Sequence, residues 1–290
     1  MNATLKALAK EWLPPAVLKT LQTQNPRRIR FRGDYPTWAA AKAVSTGYSR
    51  ASILEKVRQA TLKVKKGEAV YERDSVLFDR IEYSWPTLAG LMWAAARNHG
   101  RLSVLDFGGS LGSSYFQNRK FLTQIGELRW GVVEQQHYVE CGRDEIGDER
   151  LQFFETIEAC VNAIAPDTVL LGSVVQYIES YKAVLSDLTA FKPRVIVLDR
   201  TIVNHGASDR IYVQDVPSAV YEASYPCYSI SESSLIGYLE RLGYDLITDF
   251  DSGEFPAVEA TGSTFKGYIF GLKSESDGPD LPNTLERTIP

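Results

Sequence analysis

Val104-Leu105-Asp106-Phe107-Gly108-Gly109-Ser110-Leu111-Gly112 is the stretch on which the fold turns. A short apolar run ends in glycines and passes into a helix-like segment, so it reads as a strand, a tight turn and a helix start. The glycines let the backbone turn and let a ligand approach it closely. Free amides at that helix N-terminus would face such a ligand. An NAD-type fingerprint needs glycine at the third and sixth positions, but counted from Gly108 these are Ser110 and Ser113. Further along, Glu134 closes the run Trp130-Gly131-Val132-Val133-Glu134. An acid at the end of the next strand accepts hydrogen bonds from both hydroxyls of a ribose.

Outward from this pair, short β-branched runs alternate with amphipathic stretches, the pattern of βαβ units. Parallel strands are expected at 102–107, 129–134, 151–154, 168–171 and 195–199, a helix at 232–242, and a closing hairpin at 245–250 and 264–272. The fold class expected is α/β: a Rossmann-like, doubly wound, mostly parallel seven-stranded sheet with a C-terminal antiparallel hairpin. Residues 1–98 are expected to form an amphipathic helix and a helical cap, with helical spacing at 52–59 and 74–98. Residues 99–273 are read as the main domain, within which 201–230 lacks a period and is expected to be a lid. The polar tail 274–290 is expected to be flexible.

Apolar residues make up 44% and charged residues 23% of the 290, enough for a buried sheet. Three cysteines without C-x-x-C spacing suggest neither a disulfide framework nor a metal site, and a reducing cytoplasm fits best. No secretory signal or long apolar run is apparent. Net charge is −4, with seven basic groups against Glu11 alone in residues 1–32. The acidic remainder argues against nucleic-acid binding. The basic, amphipathic stretch 4–24 is read either as docking onto the domain or a partner, or as peripheral contact with a membrane surface. Oligomeric state is not legible.

The sequence also resembles class I methyltransferases, and more closely a sparsely characterised family of methyltransferases associated with bacterial surface-polysaccharide and lipopolysaccharide gene clusters. The residues that carry this resemblance are Gly33-Asp34-Tyr35-Pro36, Ser45-Thr46-Gly47-Tyr48, Tyr71 to Asp79, Val104 to Gly112, Val133-Glu134-Gln135, Asp199-Arg200-Thr201 and Ala223-Ser224-Tyr225-Pro226. The chain departs from the family pattern at Ile202-Val203 and Cys227-Tyr228.

The resemblance implies S-adenosyl-L-methionine as cofactor and methyl transfer as reaction and names no substrate; the small-molecule or glycan acceptor is expected to be methylated on an oxygen of a saccharide or glycan-linked group in cell-surface polysaccharide biosynthesis. Cofactor contacts are then expected from Phe107, Gly108, Gly109, Ser110 and Gly112, from Glu134 and Gln135, and from Thr156 and Ile157 beside the adenine. Ser173, Val174 and Gln176 follow the fourth parallel strand, where the methionine moiety would lie, and Arg73 would bind its carboxylate. Tyr177, Arg200 and Tyr225 are the expected acceptor contacts, and the tyrosines 212, 221, 225 and 228 could stack on a sugar ring. Asp199 and His205 are the candidate bases, expected to converge with Arg200 at one pocket mouth. Two alternatives remain: a non-catalytic module that binds S-adenosylmethionine, and a serine hydrolase with Ser110 at a G-x-S-x-G elbow.

Overall fold

The computed structural model describes residues 30–46, 50–73, 75–216, 223–253, 258 and 261–273. The stretch 4–24, the tail 274–290, and Gly47, Tyr48, Asp74 and Tyr221 lie outside the described residues. Elements run β1 (Arg30–Arg32), α1 (Trp38–Ala43), α2 (Arg50–Lys65), β2 (Tyr71–Arg73), β3 (Val76–Phe78) and α3 (Trp85–Arg97). The central part is β4 (Arg101–Phe107), α4 (Ser113–Leu122), β5 (Glu127–Val133), α5 (Gln136–Cys141), β6 (Leu151–Phe154), α6 (Ile157–Ile164), β7 (Thr168–Gly172) and α7 (Tyr181–Ala190). The remainder is β8 (Val195–Asn204), β9 (Arg210–Val216), β10 (Ala223–Ser231), α8 (Glu232–Arg241), β11 (Tyr244–Asp251) and β12 (Thr264–Leu272).

The apolar run of β4 is buried from Leu102 to Asp106, as a strand flanked on both faces must be. Parallel pairing gives the order β6-β5-β4-β7-β8, and β12 then docks antiparallel on β8 with β11 beyond it. The fold is therefore α/β and Rossmann-like: β4 to β8 with the β11–β12 hairpin make the expected seven-stranded, mostly parallel sheet. The chain moves outward from β4 to β6 and then returns to lay β7 on the other side of β4. That reversal opens a crevice between the carboxyl ends of β4 and β7, the place where such sheets bind ligands.

Helices cover both faces. Leu91 of α3, Tyr115 and Phe116 of α4 and Val139 of α5 pack with Trp130, Val132 and Leu151 on one side. Cys160 of α6, Leu185 of α7 and Leu235 of α8 pack with Leu105, Leu171 and Leu198 on the other. No helix among the described residues is long and apolar enough to cross a membrane.

Two expectations are corrected. Among the described residues of 201–230 most are in strands: β8 runs on to Asn204, and β10, β9 and β1 extend the sheet from its far end to ten strands. The buried positions of this annex include Gln214, Ser224 and Ser229, which hydrogen-bond to Tyr225, to Thr46 and to Asn204, so no apolar alternation marks the strands. The described part of the cap is also not purely helical. The segment 74–98, expected to be one helix, contains β3, which pairs with β2, and becomes helical only at Trp85. A Ser-Trp-Pro start with Pro86 in the first turn explains the later onset.

Trp130 is fully buried, and its indole Nε1 donates to Asp106 Oδ2 at 3.0 Å. Trp130→Ala is expected to cost roughly 3–5 kcal/mol, seen as a lower urea midpoint at unchanged slope.

Candidate functional site

The turn after β4 has Gly108, Ser110 and Gly112 at positive φ, with Gly112 as the left-handed cap of α4. Its glycines answer first to the protein's own side chains. A Cβ on Gly108 would sit 2.5 Å from Val174 Cγ2, and one on Gly109 would sit 2.5 Å from the Asp106 carboxyl. The sequence ascribes these glycines to a tight turn and to close ligand approach; in the structure, Val174 and Asp106 already require two of them. Gly108 N donates to Val133 O at 2.9 Å, which fixes the turn against β5.

Directly beneath the turn, Asp106 is 1% exposed, and its Oδ1 has no hydrogen-bond partner among the described residues. Burial pushes this carboxyl up to about 7, Glu134 adds to the rise, and Trp130 and Arg200 oppose it. Glu134 stands at the end of β5 beside Phe107 of β4, because Phe107 pairs with Val133. Its carboxylate accepts from the amides of Gln135, at 2.6 Å, and Ser110, and burial raises its pKa against those two bonds. Gln135 itself is the N-cap of α5. Two amides leave part of a carboxylate's acceptor capacity unused, so a diol can still be held there.

The turn after β7 is stitched to β8. Ser173 N donates to Asp199 O at 2.8 Å, and the buried Gln176 donates from Nε2 to Arg200 O at 3.1 Å and approaches Ser173 Oγ at 3.2 Å. Gln176 Oε1 has no partner among the described residues. At this point β8 carries one residue more than β12, since Leu198 pairs with Tyr268 and Thr201 with Lys266. Arg200 takes φ 51 in this bulge. Such a bulge re-aims side chains at the end of a strand. The Arg200 Nη2 comes to 3.6 Å from where a Cβ on Gly172 would lie, so the guanidinium reaches across to the end of β7. Its Nη1 is 3.3 Å from Asp199 Oδ2, and Ser252 Oγ donates to Asp199 Oδ1 at 3.0 Å.

Beside this pair lies a cleft of about 300 Å³, lined among others by Arg73, Tyr83, Trp85, Gln117, Asp199 and Arg200. Arg73 is on β2, not ahead of a helix, and its guanidinium is 3.8 Å from Glu82. The neighbouring Glu72 is buried and accepts a hydrogen bond from Ser113 Oγ in the first turn of α4, which ties the cap to the glycine turn. Tyr177 and Tyr225 meet edge to face at 5.3 Å and are joined through Gln214, which accepts from Tyr177 at 2.9 Å and donates to Tyr225 at 3.0 Å. Tyr83, Trp85, Gln117, Gln214 and Ser252 were not singled out from the sequence. Trp85 falls inside the helical stretch expected at 74–98, and the others carry no spacing signal.

One placement differs from expectation. His205 does not converge with Asp199 and Arg200. It follows the end of β8, six residues and roughly 15–20 Å of extended strand beyond Asp199. There its Nδ1 is 3.0 Å from Glu232 Oε2, and its side chain is largely exposed. This separation also removes the hydrolase triad, since Asp199 and His205 share one strand and Ser110 follows the first parallel strand of the sheet. Thr156 is the N-cap of α6 and accepts from Ala159 N at 3.0 Å, while Ile157 packs on the core beneath. Both line a shallow groove of about 560 Å³ between α6 and α7. No group of three or more His, Cys, Asp or Glu among the described residues is placed to hold a metal ion.

No family model and no curated protein matches the chain. Among solved structures it is similar to 1,6-didemethyltoxoflavin-N1-methyltransferase from Burkholderia thailandensis, crystallised with 1,6-didemethyltoxoflavin and S-adenosylhomocysteine. That match has 13% identity and a TM-score of 0.42, over 78% of this chain and 92% of the other. Magnesium protoporphyrin IX methyltransferase from Synechocystis PCC 6803, with bound SAM, aligns at 14% identity and a TM-score of 0.44, over 78% of this chain and 100% of its own. The N-terminal domain of EvdMO1, crystallised in the presence of SAH and D-fucose, aligns at 12% identity and a TM-score of 0.46, over 79% of this chain and 98% of its own.

Proposed function

We propose that this chain is an S-adenosyl-L-methionine-dependent methyltransferase that methylates an oxygen of a saccharide or glycan-linked acceptor, in the cytoplasm and in the service of surface-polysaccharide synthesis. The observation that carries the donor assignment is the acidic rim at the switch point, where Asp106 Oδ1 is buried without a partner among the described residues and is influenced by Glu134. A nucleoside that ends in a sulfonium and an ammonium is a cation. An unpaired buried carboxyl is stabilised by such a charge. Glu134 would hold the ribose diol, and Phe107, Gly108, Gly109 and Ser110 would line the tail.

When bound, this donor supplies a methyl group already activated on sulfur, so the protein's share is placement and control of a proton. Ser252 and Arg200 fix the Asp199 carboxylate, which is 4% exposed, at the wall of the cleft. From there Asp199 takes the proton of the acceptor hydroxyl. Arg200 spans the distance from Asp199 to Gly172 and so orients the acceptor relative to the switch point.

Glu134→Ala is expected to weaken S-adenosylmethionine binding about tenfold or more, a loss of roughly 1.4 kcal/mol or above. Calorimetric titration of both proteins checks this, and equal affinities would remove Glu134 from the site.

Asp106 adds a pH dependence. Its folded pKa of about 7 lies above the ordinary 3.8, so the native state keeps a proton between about pH 4 and 7 that the unfolded chain has released. Its contribution to stability therefore falls as pH rises through that window. Asp106→Asn should flatten the fall and raise stability at pH 8 by at most roughly 4 kcal/mol. Binding of the cationic donor should have the opposite slope and tighten as pH rises through about 7. Loss of both slopes in the variant, in urea unfolding and in titration, is the expected result.

A further inference from the structure

Trp85 is 59% exposed, the most exposed large apolar side chain among the described residues. It is held in place nonetheless. Its ring lies 4.8 Å from that of Tyr83 at an interplanar angle of 33°, and Phe121 meets both edge-on, at 5.3 Å from Tyr83 and 5.8 Å from Trp85. An oriented, exposed aromatic cluster at the mouth of a cleft is a surface on which a ligand can stack.

The rest of the cleft is polar, and its charges are largely neutralised within the protein. Arg73 faces Glu82 at 3.8 Å and Arg200 faces Asp199 at 3.3 Å. With Asp251 the lining holds three carboxylates against two guanidiniums, so it offers no surplus positive charge to a phosphate or carboxylate ligand. What it does offer is donors and acceptors side by side: guanidinium N–H groups and carboxylate oxygens. A volume of about 300 Å³ falls at the lower end of the roughly 300–1,000 Å³ of ligand sites, room for one ring.

A ligand that suits both walls has an apolar flat face and hydroxyl groups around its edge. Its hydroxyls donate to carboxylates and accept from guanidinium, while its C–H face covers an indole. We infer that the cleft between Trp85 and Asp199 binds a neutral pyranoside ring, with Trp85 and Tyr83 as its stacking platform. The inference rests on the methyl-transfer reading only in calling that ring the acceptor; the sugar site stands on the cleft alone.

The test uses the full chain, with and without S-adenosylhomocysteine, and measures binding of methyl α- and β-pyranosides of glucose, galactose, mannose and rhamnose by saturation-transfer NMR. Choline serves as a cationic control. At least one glycoside is expected to bind. Trp85→Ala should weaken it about tenfold, near 1.4 kcal/mol, Trp85→Phe should largely retain it, and S-adenosylhomocysteine affinity should be the same in all three proteins. Glycoside binding that needs Trp85 supports the site even if S-adenosylhomocysteine fails to bind, an outcome that would count against the donor assignment alone. Binding of no glycoside, binding of choline alone, or glycoside binding indifferent to Trp85→Ala and Tyr83→Ala would overturn it.

Discussion

One extra residue in β8 governs the rim of this sheet. A regular strand would continue its alternation past Leu198 and carry the Arg200 side chain to the same face as Leu198. The bulge breaks the pairing with β12 at Asp199–Arg200 and lets Arg200 take a left-handed conformation. A non-glycine residue with φ near 51° is held there only by its surroundings. Those surroundings are visible: Arg200 O is bonded by Gln176, Arg200 N by Ser252 Oγ, and the guanidinium by Asp199. Each of these partners belongs to a different part of the rim, so the bulge couples the turn after β7, the end of β11 and the cleft in one arrangement.

The same bulge lies where β8 exchanges one neighbour for another within the sheet. Up to Asp199 it lies between β7 and β12, and beyond the bulge it pairs with β10 at Val203 and Asn204. Strands β10, β9 and β1 thus stand past the carboxyl end of β7. The Tyr177–Gln214–Tyr225 chain joins that annex to the turn after β7 with hydrogen bonds of 2.9 and 3.0 Å. The annex is a structural wall of the rim, and its tyrosines are engaged with each other and with the strands. An open aromatic face lies at Trp85, in the cleft that Asp199 also lines.

The sequence was most legible where one physical demand dominated. Strands β4 to β8 are buried on both faces, so Val104-Leu105 and Val195-Ile196-Val197-Leu198 can be read as strands without any partner in view. The glycine turn and Glu134 were legible for a similar reason, since their spacing reflects adjacent parallel strands. The annex was hidden because Gln214, Ser224 and Ser229 are buried through hydrogen bonds made by residues far away in sequence, such as Thr46 and Asn204. The β2–β3 hairpin has only three residues in each strand, too few for a period to show. His205 was misplaced because the reading ended β8 at Asp199, whereas the bulge lets the strand run on to Asn204.

Charge at the rim is divided in a way that gives the two sides of Arg200 different electrostatic character. Toward β4 and β5, Glu134 adds to the rise in the Asp106 pKa, and among the described residues Arg200 is the cation that opposes it. Arg200 is already engaged with Asp199, so that side is short of positive charge. Toward α3, Arg73 and Arg200 each face a carboxylate, and the cleft is close to electrically balanced. A cation gains more on the first side than on the second, where paired charges attract a neutral hydrogen-bonding ring without penalising it. The proposed order of ligands along the rim, a cation beside Asp106 and an uncharged partner beyond Arg200, follows the pairing of the protein's own charges.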